Sequence, residues 1–94
     1  MNQDENQKTH DDVREILEDI LRKMNIQAVV RQTDFLDAPY FQIETSDNNL
    51  LIGESGQHLY ALQTLVRRMA EQKRGGPCQP FLVDVEDFQR RHIE

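Results

Sequence analysis

One cysteine, three prolines, four glycines and no tryptophan stand among the 94 residues, and each scarcity excludes something. A lone Cys78 forms no internal disulfide and has no second cysteine for a paired metal or redox site. No apolar run approaches the roughly 18 residues of a membrane-spanning helix. The opening residues, Met1-Asn2-Gln3-Asp4-Glu5-Asn6-Gln7-Lys8, lack the basic and apolar regions of a secretory signal. Cytoplasmic residence without membrane contact is therefore expected. Four phenylalanines and two tyrosines permit a modest core, and the length suits one small domain.

Positive charge is also short. The chain carries a net charge of −6, whereas a nucleic-acid binder usually carries a basic excess. The deficit is uneven: residues 1–48 hold five Lys/Arg against eleven Asp/Glu, while residues 49–94 hold six of each. Within residues 57–76, Arg67, Arg68, Lys73 and Arg74 face a single acid, Glu71. The one basic excess thus follows the glycine loop described below.

Apolar periodicity supplies the elements. Residues 1–9 are polar and aperiodic and read as a disordered lead-in, leaving residues 10–94 as the folded domain. Val13, Ile16, Leu17, Ile20, Leu21 and Met24 recur at helical spacing, predicting a helix over 11–24 with Thr9 as its N-cap. Residues 26–32 read as a strand, 33–39 as a connection, and 40–45 as a second strand with Phe41 and Ile43 on one face. These two form the simplest antiparallel hairpin. Ser46 or Asp47 caps a single helical turn over 48–52. A long helix follows to about Lys73, with Leu59, Leu62, Leu65, Val66 and Met69 as its buried stripe; Gly75-Gly76-Pro77 stops it. Residues 80–85 give a third strand, reached by a right-handed crossover, and 86–93 a short closing helix anchored by Phe88. The sum is an α+β fold in two layers, a small three-stranded sheet with helices packed mainly on one face.

Between the helical turn and the long helix lies Gly53-Glu54-Ser55-Gly56. Glycine takes positive φ without strain and lets another backbone come close. A GxxG loop of this kind clamps about four nucleotides of single strand in KH domains, and the dipole of the following helix favours an anion at its N-terminus. Ser55 and Gln57 can donate hydrogen bonds there. His58 and Tyr60, in the first helical turn, either stack on a base or reach a phosphate, or simply form a solvated face. Ile52, with Leu51, either floors an apolar groove for bases or packs beneath the loop, while Leu59 reads as core. Glu54 acts against binding: a carboxylate a few ångströms from a phosphate costs about 1 kcal/mol in high dielectric.

The stretch Leu51-Ile52-Gly53-Glu54-Ser55-Gly56-Gln57-His58-Leu59-Tyr60-Ala61-Leu62-Gln63-Thr64-Leu65-Val66 resembles the KH segment of the bacterial Jag/KhpB (SpoIIIJ-associated) family. Leu82-Val83-Asp84-Val85-Glu86-Asp87-Phe88-Gln89-Arg90-Arg91 is similar to the family's third strand and closing segment, so the resemblance spans about residues 10–93. It implies a type II KH-like fold of order α-β-β-α-GxxG-α-β-α. It further implies single-stranded RNA binding, a role in post-transcriptional control linked to cell growth or division, and pairing with another small KH protein. The RNA-binding residues it marks are Ile52, Gly53, Glu54, Ser55, Gly56, Gln57, His58 and Tyr60. Two departures stand out. Family members commonly carry a basic residue where this chain has Glu54, and they usually continue into a second single-strand-binding domain that these residues do not include.

Nothing points to catalysis. His10, His58 and His92 fall in separate elements without metal-ligand spacing, the carboxylates of the first helix lie on its polar face, and no GxxxxGK[ST] loop is present. The expectation is a binding protein without cofactor or metal. The rival reading is a KH-fold protein-interaction module with weak or lost RNA affinity, using its acidic first helix or an exposed sheet edge.

Overall fold

The computed structural model describes residues 3–88. In chain order it comprises α1 (Gln3–Lys23), β1 (Val29–Phe35), β2 (Ala38–Glu44), α2 (Asn48–Ile52), one 3-10 turn (Glu54–Gly56), α3 (Gln57–Arg74) and β3 (Leu82–Val85). Where the closing helix over 86–93 is expected to begin, Glu86 and Asp87 instead form a turn at φ 51° and 60°, and the rest of that span beyond Phe88 lies outside the described residues.

Helix α1 buries Val13, Ile16, Leu17 and Leu21, as their spacing requires. It starts well before the expected residue 11 and takes in residues 3–10. Thr9 is therefore no N-cap. It sits inside the helix, 2% exposed, where its Oγ1 accepts a long 3.5 Å hydrogen bond from Arg74 Nη1. The C-terminal end of α3 packs beside this part of α1, and Lys73 Nζ reaches Asp12 at 3.5 Å and Glu15 at 3.4 Å. Arg74 and Lys73 thus tie the end of α3 to Thr9, Asp12 and Glu15 of α1.

α1 ends in a Schellman turn. The Ile26 N–H bonds to the Leu21 carbonyl and the Asn25 N–H to that of Arg22, with Asn25 at φ 62°. This reversal turns Met24 outward, against the sequence expectation that it belongs to the buried stripe: it is 48% exposed.

Strand β1 is shifted three residues toward the C-terminus relative to expectation. A two-residue turn at Leu36 and Asp37, φ 54° and 64°, closes the hairpin, with Phe35 opposite Ala38. The expected seven-residue connection is thus mostly strand. Pro39 lies within β2, the central strand of the order β1-β2-β3. Pairing with β3 begins only at Tyr40, so the missing N–H of Pro39 breaks no bond of that ladder.

β2 and β3 are parallel, with Phe41 opposite Val83 and Ile43 opposite Val85. These four side chains and Val30 meet Val13, Leu17, Leu59 and Val66 in one core. Phe41, wholly buried, sets its ring edge-to-face against Phe81 and His10. The result is an α+β fold with a small mixed sheet and three helices, compatible with a KH-like arrangement.

In α3 the buried positions are Leu59, Leu62, Val66 and Ala70. Leu65, expected in the stripe, is 48% exposed. The small Ala70 is buried instead, because the stripe follows a four-residue ridge from Leu62.

Candidate nucleic-acid interface

The loop at residues 53–56 is built from two consecutive helix ends. Helix α2 stops at Gly53, whose N–H bonds to the Asn49 carbonyl at 2.9 Å. Gly53 has φ 72° and ψ −173°, a region that essentially only glycine enters. Ser55 and Gly56 follow in the left-handed region, φ 55° and 84°. The turn then feeds α3 directly, and no side chain caps that helix.

Both glycines answer to internal contacts. A Cβ on Gly53 would stand 2.5 Å from Cγ of the His58 ring, and a Cβ on Gly56 would stand 2.7 Å from Cε2 of Phe88. Close approach at this loop is thus already required by two of the chain's own rings. His58 is fixed further by a 2.8 Å contact between Nδ1 and the Leu50 carbonyl. A carbonyl only accepts, so Nδ1 carries the hydrogen and donates. The ring clasps the last turn of α2 across the loop.

The sequence-marked residues fall together around this turn. Glu54, Ser55, Gln57 and His58 are exposed, Gly56 is buried, and Ile52 and Gly53 are half-buried. Ile52 packs against the core, which favours a structural role beneath the loop. Tyr60 is open to solvent, 75% exposed. A neighbouring apolar side chain, Leu50, is exposed as well; sequence reading missed it because it sits in a helical turn too short to show a face.

The basic residues of α3 divide. Lys73 and Arg74 are engaged with α1, as described. Arg67 and Arg68 are exposed and form no ion pair among the described residues. They sit ten and eleven residues beyond Gln57, or about 15 Å along the helix. A groove of about 680 Å³ lies elsewhere, between α1 and α3, lined by Glu15, Glu18, Asp19, Arg22, Met69 and Lys73 among others. Its walls carry three acids, Glu15, Glu18 and Asp19, against two bases, Arg22 and Lys73.

A second polar constellation lies on the sheet face turned away from the core. Asp84, at 0% exposure, accepts from the Tyr40 hydroxyl at 2.8 Å and from the Val85 N–H at 2.8 Å. The Asp87 N–H bonds to Gln42 Oε1 at 3.1 Å. Burial, the hydrogen bond to Asp84 and the nearby carboxylates of Asp84 and Asp87 push the Tyr40 phenol well above the usual tyrosine range. Only the folded chain reveals that Asp84 is covered.

The fold and loop together define a small α+β domain with a glycine-flanked turn between two helices. No protein-family model matches the chain, and no curated protein matches it. No helix among the described residues is long and apolar enough to cross a membrane.

Proposed function

We propose that this chain is a KH-like RNA-binding protein of the Jag/KhpB type that contacts single-stranded RNA through residues 53–56. The observation that carries the reading is the loop itself. Two exposed residues, Glu54 and Ser55, project between positive-φ glycines at the uncapped N-terminus of an 18-residue helix. The Gln57 N–H is taken by the Glu54 carbonyl; the N–H groups that follow in such a first turn face an anion favourably. Gln57, His58 and Tyr60 flank the turn and supply polar and stacking groups, with sequence preference low because few bases are read. Cytoplasmic residence, post-transcriptional control linked to growth or division, and pairing with another small KH protein belong to the same proposal.

The rival, a protein-interaction module on the same fold, draws on one specific observation. His58 and Phe88 already account for both glycines, so the loop would keep its glycines without RNA. The net charge of −6 points the same way, and β1 leaves a sheet edge for a partner.

Fluorescence anisotropy with short single-stranded RNA, at low and physiological salt and with duplex as control, separates the two. Micromolar, salt-sensitive binding selective for single strands is expected. The double variant Glu54→Asp, Ser55→Asp should abolish it with the fold intact, since aspartate tolerates the left-handed conformation of Ser55. Absence of binding at low salt would overturn the RNA reading, and retained affinity in the double variant would move the site away from the loop.

A further inference from the structure

We infer that His58 makes the loop a proton-gated anion site, at which RNA phosphate binds with uptake of one proton from solvent at Nε2. This inference rests on the RNA reading of the loop and adds its regulation.

The first step is a shortage. Residues 32–66 contain neither Lys nor Arg, so β2, α2, the loop and the first half of α3 bring no permanent cation to the site, and Arg31 on β1 is paired with Glu44 at 2.9 Å. Lys73 and Arg74 are held against α1. In that stretch only the imidazole of His58 can become a cation, by taking up a proton.

The second step is the fixed tautomer. Nδ1 donates to Leu50 at 2.8 Å, so the neutral ring offers only a lone pair at Nε2. A phosphate oxygen is also an acceptor, and the two cannot bond. Protonation turns Nε2 into a charged donor without disturbing the Nδ1 bond, and charge-assisted hydrogen bonds are roughly twice as strong as neutral ones. The ring is already positioned: it lies against Gly53, on the exposed side of the turn, and Nε2 has no partner among the described residues.

The elements meeting here bring further ionisable groups: Asp47 before α2, Glu54 in the loop, Tyr60 on α3, and Glu86 and Asp87 ahead of Phe88. None forms an ion pair with His58 among the described residues.

The test uses a rhodamine-labelled eight-residue oligouridylate, whose bases do not take up protons in this range. Wild-type affinity should rise about five- to tenfold between pH 8 and pH 5.5. His58→Gln keeps a donor for Leu50 without charge and should bind weakly with a flat profile; His58→Arg should bind tightly at both pH values. In the wild-type protein, saturating RNA should move the His58 ring titration, followed by NMR, upward by up to about one pH unit. That measurement decides the matter even where a variant fails to fold. RNA binding with no upward movement of the His58 titration, or equal pH dependence in wild type and His58→Gln, overturns the proton gate and leaves the RNA reading standing. No binding at either pH, with His58→Arg equally silent, removes both.

Discussion

The Tyr40 hydroxyl donates a 2.8 Å hydrogen bond to the carboxylate of Asp84, tying β2 to β3 across a parallel pair on the face opposite the helices. Gln42, not Tyr40, stands level with Asp84, so the phenol reaches diagonally along the strand. Gln42 in turn accepts from the Asp87 backbone, which draws the turn after β3 back over the sheet. Phe88, which packs on Gly56, follows directly. The polar side of the sheet and the candidate loop are therefore linked through one short stretch of chain.

Removing the phenol oxygen tests this link. Tyr40→Phe is expected to destabilise the fold by about 1.5–3 kcal/mol, the range for a hydrogen bond to a charged acceptor. Urea denaturation reads the loss directly, with the slope unchanged if only the native state is affected.

Alkaline pH should act on the same bond. The folded Tyr40 holds its proton more tightly than an unfolded tyrosine, so the native state binds more protons than the unfolded chain above about pH 10. Stability from this group is complete below that value and falls as pH rises beyond it. Denaturation midpoints between about pH 9 and 11.5 should decline in the wild type and decline less in Tyr40→Phe.

At Gly53 two costs add. Alanine there meets a glycine-only backbone conformation and the His58 ring, for an expected loss of about 2–4 kcal/mol. Adding His58→Ala should recover the steric part, about 1–3 kcal/mol in a double-mutant cycle, and leave the backbone part. Gly75→Ala is the control: its φ is 80° but nothing lies within 4 Å of the added carbon, so only about 1–2 kcal/mol should be lost. Equal losses at Gly53 and Gly75 would show that the ring does not crowd the loop.

Charge reversal at the tip tests the phosphate contact. Glu54→Lys should tighten single-stranded RNA binding and steepen the logarithmic salt dependence by about 0.7 per added phosphate contact. Unchanged affinity and slope would place Glu54 away from the strand.

Local chemistry made much of this legible beforehand. The helical turn at residues 48–52 was predicted to the residue, and α3 to within one, because a glycine pair and a Gly-Gly-Pro stop are signals confined to a few neighbouring positions. The eight marked site residues gather at one turn for the same reason: they are nearly consecutive. The hairpin was legible in its pairing but not its register, since Leu36 and Asp37 adopt positive φ without a glycine to announce it.

What the sequence by itself determined, then, is where the chain turns and which faces are apolar, since backbone sterics and side-chain periodicity act over a few residues. Tertiary structure decided the rest. It buried Thr9 beneath Arg74, turned Leu65 outward while covering Ala70, drew Lys73 to Asp12 and Glu15, covered Asp84, and laid His58 over Gly53. Apart from the His58 clasp, each depends on which elements meet across long stretches of chain. That meeting is settled by burying the shared core and satisfying its polar groups together, which no local window of sequence contains.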